Sequence, residues 1–184
     1  MPFTTVASIK TNFNMTLSTH DTLLGNLITQ KEKQIKVFCG RDFEQTTYNS
    51  NDENSLYDGD GTDTLLLRQF PIVSVTSLFD DPDRSYGASS QISSSDYMIY
   101  ANEGKIVLDG LTFTRGRQNI KVVYSAGYST IPEDLKSACE MLVFADYIEH
   151  IAQVNTAVSD EIIYKPDKLR AEAWKIIELY KRYA

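Results

Sequence analysis

A change of periodicity constrains this chain more than any single residue does. Leu23, Leu24, Leu27, Ile28, Ile35 and Phe38 recur at helical spacing, and helical spacing returns after Leu135. Between Tyr57 and Tyr128 the apolar residues instead come in short alternating runs. An i, i+3, i+4 pattern lays one apolar stripe along a helix, whereas alternation gives a strand one apolar face. The order predicted is helix, then sheet, then helices.

Local signals refine that order. Met1 to Phe13 has no sustained period and reads as an arm or a short strand. Ser18 or Thr19 is placed to cap the first helix, Asp21 suits its first turn, and Gly40 ends it. Thr46 to Asn54 is polar and reads as a loop. Leu65, Leu67, Ile72, Val73, Val75 and Leu78 predict strands, broken at Pro71, which has no N–H to give to a ladder. Asp80 to Asp96 is rich in Asp, Ser and Gly, with Tyr86 and Ile92 as its few apolar anchors, and reads as a mobile loop. Tyr97 to Tyr100 and Lys105 to Leu108 form a hairpin through Asn102 and Gly104, and Asn119 to Tyr124 is a third strand of the same small antiparallel sheet. Pro132 opens the next helix, in which Leu135, Ala138, Cys139, Leu142, Val143 and Tyr147 share a side. A connection is expected between Val154 and Pro166, and then a last helix carrying Leu169, Ala173, Ile176, Ile177 and Tyr180. The fold class expected is α+β, mainly α: a helical bundle with a small antiparallel sheet inserted between the first helix and the C-terminal helices. One domain over 1–184 is expected, with an arm and first helix in 1–45, the inserted β region in 57–128 and the C-terminal helices in 131–184.

Composition excludes several functions. The formal charge of −7, without a Lys/Arg cluster, opposes a protein that grips DNA, because phosphate affinity comes from clustered cations releasing counterions. No apolar run reaches bilayer length and no secretory pattern opens the chain, so a soluble product made in the cytoplasm is expected. Cys39 and Cys139 sit among apolar neighbours in helical segments, as buried thiols do. His20 and His150 fall in separate helices without ligand-spaced partners, and there is no phosphate-cradling glycine motif or nucleophile elbow. No active site and no cofactor are expected. Asp58, Asp60 and Asp63 are a weak candidate for calcium, since close carboxylates on a Gly-rich turn are able to converge on a cation. An EF-hand loop, however, would have Gly where Asp63 stands and Glu where Gln69 stands, and Asp-Gly pairs also build ordinary turns. A small ligand-binding module, calcium-dependent through Asp58 to Asp63, is the alternative function. Trp174, Tyr180 and Tyr183 crowd the last helix, and such residues either fill a core or anchor an interface.

Taken in order, Tyr57-Asp58-Gly59-Asp60-Gly61-Thr62-Asp63, Leu65-Leu66-Leu67, Phe70-Pro71-Ile72-Val73-Ser74-Val75, Val122-Val123-Tyr124-Ser125-Ala126-Gly127-Tyr128 and Ile131-Pro132-Glu133-Asp134-Leu135-Lys136 resemble the head-tail connector (adaptor) proteins of tailed bacteriophages. The likeness extends to Leu23–Phe43 and to the closing Tyr180-Lys181-Arg182-Tyr183. It implies a non-enzymatic structural protein of the virion neck, copies of which form a ring under the portal, extend the DNA channel and prepare tail attachment. The implied partners are the portal protein, copies of the chain itself and a downstream neck or tail-completion protein. DNA passes through the lumen without specific binding, and no membrane is involved. On this resemblance Trp174, Ile177, Tyr180 and Tyr183 become portal-binding candidates, and Tyr86 and Ile92 assembly-loop candidates.

Overall fold

The computed structural model describes residues 2–16, 18–154 and 165–181, with the last three residues of the 133–154 helix described by backbone alone. Two compact units form, Met1–Gly40 with Ile131–Ala184, and Arg41–Thr130.

The first unit is helical. α1 (Val6–Asn12) stands where an arm or short strand was expected, its N-terminus capped by the Thr5 side chain, which accepts from the Ser8 N–H at 3.1 Å. Seven residues are too few to show a period, and tertiary contacts hold the helix instead. Ile9 and Phe3 are buried, and Phe13 stacks on Phe144 with ring centroids 3.9 Å apart. The buried Glu140 carboxylate accepts from the Thr4 hydroxyl (2.5 Å), the Ser8 hydroxyl (2.7 Å) and the Asn12 amide (2.7 Å). α2 (Asp21–Cys39) buries Leu24, Ile28, Lys31, Ile35 and Cys39, one stripe at steps of four, three, four and four. His20, rather than Ser18 or Thr19, occupies its N-cap position, and Gly40 ends it in the left-handed region at φ 65. α3 (Glu133–Val154) packs against α2 and against α4 (Pro166–Glu178), so it buries a broad surface that includes Leu135, Cys139, Leu142, Val143 and Ile148. Burial pushes the Cys139 thiol up to about 12, in keeping with an inert core thiol. Most of the connection expected at 154–166 lies outside the described residues.

The second unit overturns the expectation of a mainly α chain with a small sheet. Among the described residues there are four helices and eight strands, the strands forming two antiparallel sheets that fill the 41–130 unit. The strands are β1 (Thr46–Tyr48), β2 (Leu56–Gly59), β3 (Thr64–Leu66), β4 (Ile72–Asp80), β5 (Gln91–Ile92), β6 (Tyr97–Tyr100), β7 (Lys105–Leu108) and β8 (Gly116–Ala126). β8 is the organiser. Its eleven residues pair with β4 on one side and with both β1 and β2 on the other, and β5 completes this five-stranded sheet beside β4. β1 and β2 are too short to show alternation and, unlike the equally short β6 and β7, are not marked by turn residues such as Asn102 and Gly104, which is why β1 lay within an expected loop and β2 within an expected turn. The hairpin β6–β7 does form, but it pairs with β3 in a separate three-stranded sheet rather than with β8.

A core of Tyr48, Tyr57, Leu65, Leu67, Ile72, Leu78, Ile106, Phe113, Ile120, Val122 and Tyr124 fills this unit. Each fully buried large side chain contributes about 1.5–3 kcal/mol. The Tyr57 and Tyr124 hydroxyls meet at 3.0 Å, so the two phenols satisfy each other inside the core. Gly127, at φ 108, lets the chain leave β8, and a Cβ there would lie 2.5 Å from the Glu44 carbonyl oxygen. Arg41 is buried with its guanidinium 3.6 Å from the Phe70 ring centroid, and it donates to the Phe70 carbonyl.

Residues 80–96 are a second correction. The segment expected to be mobile is organised around Asp81, which is 6 % exposed. Its carboxylate accepts from the Asp83 N–H (3.0 Å), the Ser85 hydroxyl (2.9 Å), the Tyr86 N–H (2.6 Å) and the Ser90 hydroxyl (3.2 Å). Polar groups thus supply the order that the scarcity of apolar side chains had argued against.

Candidate assembly surfaces

At the C-terminal end of the helical unit, α4 is tied down by charge. Arg170 donates to Asp146 (2.8 Å) and, through both terminal nitrogens, to Glu149 (2.5 Å each), while Lys31 reaches Asp146 at 2.5 Å. Burial pulls the Asp146 carboxyl up, but Lys31 and Arg170 outweigh it and hold it below the usual range; the Arg170 hydrogen bonds do the same for Glu149. The clamp leaves aromatic and aliphatic groups at the end of the helix. Trp174 is partly buried against Phe38, ring centroids 4.9 Å apart, with the Lys181 ammonium 5.0 Å from the Phe38 ring. Val37 (73 % exposed) and Leu179 (80 % exposed) project from the ends of α2 and α4.

The portal-binding candidates separate in this setting. Trp174 keeps part of its surface open, and partly buried Tyr180 donates its hydroxyl to Asp134 at 2.6 Å. Ile177 is fully buried, so its side chain packs the unit and is closed to a partner. Tyr183 lies outside the described residues. Phe38, read in the sequence as part of the buried stripe, is 38 % exposed.

In the sheet unit, Tyr86 and Ile92 are partly buried by their own chain. Ile92 pairs with Leu78 in the β4–β5 ladder, and the Tyr86 ring lies edge-on to Phe79 while its hydroxyl donates to the Gln118 carbonyl. The three carboxylates of the calcium alternative turn to local work. Asp58 accepts from the Gln118 N–H (2.7 Å), Asp60 from the Thr62 N–H (2.8 Å) and hydroxyl (2.7 Å), and Asp63 from the Thr64 hydroxyl (2.8 Å). The Thr62 hydroxyl holds the Asp60 carboxyl below its ordinary range. Among the described residues no group of three His, Cys, Asp or Glu is arranged to hold a metal ion. The histidines stay apart as well: His20 lies edge-on to Tyr147 at 5.7 Å, and exposed His150 borders a recess with Leu23, Leu27, Asp146, Glu149 and Arg170, where no serine stands.

A cleft of about 800 Å³ lies in this unit between β3 and the β2–β8 pair. Tyr57, Leu65, Phe113 and Ile120 form its apolar walls, with Glu53, Asp58, Asp60 and Asp63 among its lining. Across the three-stranded sheet, β6 exposes Met98 (52 %), Ile99 (42 %) and Tyr100 (40 %) in succession, and β3 exposes Leu66 (51 %). These residues were missed in the sequence. The signal was there in Tyr97-Met98-Ile99-Tyr100, a hairpin strand apolar at every position instead of every second one.

The apolar surplus of this α+β chain stands on strand edges and helix ends, where it is open to contact. Comparison with known proteins gives the family. A sequence model of the head completion protein family matches residues 2–183, and the chain belongs to that family. The resemblance to head-tail connector proteins therefore holds. No curated protein matches in sequence. Among solved structures, the fold is similar to a chain in the neck of a native GTA particle computed with C12 symmetry (TM-score 0.55, 16 % identity, covering 97 % of this chain and 88 % of that one). It is also similar to a chain in the neck of an empty GTA particle computed with C6 symmetry (TM-score 0.54, 15 % identity, 97 % and 89 % covered).

Proposed function

We propose that this chain is a structural, non-enzymatic head-tail connector of the virion neck, whose copies form a ring beneath the portal, extend the DNA channel and prepare tail attachment. The family match across residues 2–183 carries the reading, and the likeness of fold to chains from GTA necks supports it. The portal-facing surface is the end of α4, where Trp174 and Tyr180 present aromatic area and Leu179 stands 80 % exposed, with Tyr183 further along the chain. A net charge of −7 suits a channel wall that DNA slides past without adhering. The remaining partners are other copies of the chain and a tail-side neck or tail-completion protein. Tyr86 and Ile92 act in assembly through what they leave open on the organised 80–96 segment.

The test is to mix the chain with purified portal rings and image the product by electron microscopy. Rings of added density on one face of the portal are the expected result. Portal rings left bare at saturating concentrations of the chain would defeat the reading.

A further inference from the structure

The three-stranded sheet has two open ends. Its order is β3–β7–β6, so β3 and β6 each have a partner on one side only. β7 is antiparallel to both, and β3 and β6 therefore run in the same direction. The two ends differ in character. β3 borders the 800 Å³ cleft, with Leu65 and Leu66 lining it. β6 is the apolar end, and Ile99 is its anomaly. Ile99 is registered opposite Ile106, which is opposite Leu65; Ile106 and Leu65 are buried at 0 % and 6 %, whereas Ile99, on the same inward face, is left 42 % exposed. A core-facing isoleucine on an unpaired edge is a half-finished core, and an unpaired edge is a template for another strand.

We propose that β6 of one copy enters the cleft beside β3 of the next, so that the three-stranded sheet continues from subunit to subunit. This inference rests on the ring reading above. A closed ring of identical subunits needs two different, mutually complementary surfaces on one chain, and the two ends of this sheet are such a pair. Continuation from copy to copy pairs β6 with β3 in parallel. Charge does not oppose the contact: Lys105, 4.3 Å from the Tyr100 ring, is paired with Glu103 at 2.6 Å, so the hairpin brings a neutral ion pair to a cleft lined by Glu53, Asp58, Asp60, Asp63 and Arg68. Ile99 of the entering strand continues the inward face that carries Leu65, while Met98 and Tyr100 continue the outer face, where Leu66 stands 51 % exposed.

The test uses Met98→Cys carrying a benzophenone maleimide, because Met98 is 52 % exposed and both native cysteines are buried. Rings assembled from this full-length chain on portal are irradiated, and the joined peptides are identified by mass spectrometry. The expected product is a cross-linked dimer in which position 98 is joined to residues 53–68 of another copy. In parallel, Ile99→Thr, which keeps the β-branched shape opposite Ile106, should weaken ring formation at least tenfold while the free chain still melts cooperatively; rings that form as readily as the parent's would count against the inference. Rings that form but cross-link from position 98 only within a subunit, or to a different segment, overturn the inference and leave the ring reading intact. Failure of the unmodified chain to form rings overturns both.

Discussion

Two carboxylates, Glu140 and Asp81, show how single residues set local order in this chain, and each gives a prediction. Glu140 gathers three donors from the N-terminal segment onto α3. Hydrogen bonds to a charged group contribute about 1.5–3 kcal/mol each net, and donors near the surface regain water when the acceptor is removed, so Glu140→Ala should destabilise the chain by roughly 2–3 kcal/mol. Chemical denaturation should show the loss, and hydrogen exchange should place it first in α1; a variant that melts like the parent would show that the apolar contacts of Ile9 and Phe13 hold α1 alone. Asp81 acts within its loop, where the Ser85 hydroxyl and then the Tyr86 and Asp83 N–H groups lower its pKa against the opposing pull of burial. A carboxyl depressed on folding stabilises above its ordinary value of 3.8, and that stabilisation is lost as pH falls through the lower folded value. The Tyr86 amide resonance should therefore stay constant from neutral pH down to about that value and shift only in more acid solution. A Tyr86 amide that titrates at or above the ordinary carboxyl range would remove Asp81 as the organiser.

At the scale of elements, α4 depends on the Arg170 clamp. The groups are partly exposed, at 27 % for Arg170, 22 % for Asp146 and 44 % for Glu149, so solvent screens much of their attraction. Arg170→Ala should cost about 1–2 kcal/mol, shrinking as salt is raised. Trp174, the only tryptophan, lies on the same helix against Phe38, and its fluorescence should report the loosening of α4. An equal loss at low and high salt would assign the effect to packing by the arginine stem. The clamp also has an acid limit, because both carboxyl values are depressed: its contribution holds above 3.8 for Asp146 and 4.5 for Glu149 and fades below. Legibility in the sequence followed element length. The long helices, the Gly40 stop, Pro166 near the start of α4, β4 and the β6–β7 hairpin were readable from period and cap residues. α1, β1, β2 and β5 were not: β6 and β7 are as short but are marked by the turn residues Asn102 and Gly104, whereas these elements have no such signal and take their order from Glu140, from β8 and from Asp81. The same limit applied to the surfaces. Trp174 and Tyr180 stood out by residue type, but only packing distinguishes buried Ile177 from exposed Leu179 two positions later.

At the scale of the whole molecule, the proposed ring makes a demand on the free chain. A heterologous contact, in which one surface meets a different surface of the next copy, closes only at one angle and otherwise propagates into open filaments. A chain of this kind is safest when each contact alone is weak and a template sets the angle. The surfaces fit that requirement. β6 offers four residues of edge, too short to aggregate strongly, and the lining of the receiving cleft mixes apolar walls with carboxylates that must be partly desolvated on contact. The free chain should therefore be a monomer, or a weak oligomer, by light scattering over a micromolar concentration series, and should gather into rings only on the portal. On the proposed reading, its grip on the portal depends on the end of α4. Tyr180→Ala removes an aromatic surface and one hydrogen bond to Asp134, and a contact residue of this type typically costs 1–2 kcal/mol or more at an interface, a loss of about tenfold or greater in portal affinity. Trp174→Ala should weaken portal binding at least as much, but it also opens the Phe38 contact, so its effect must be read beside the melting temperature. A tight dimer of the free chain at micromolar concentration, or a Tyr180→Ala chain that binds portal with undiminished affinity, would contradict this account of how template and subunit share the work of assembly.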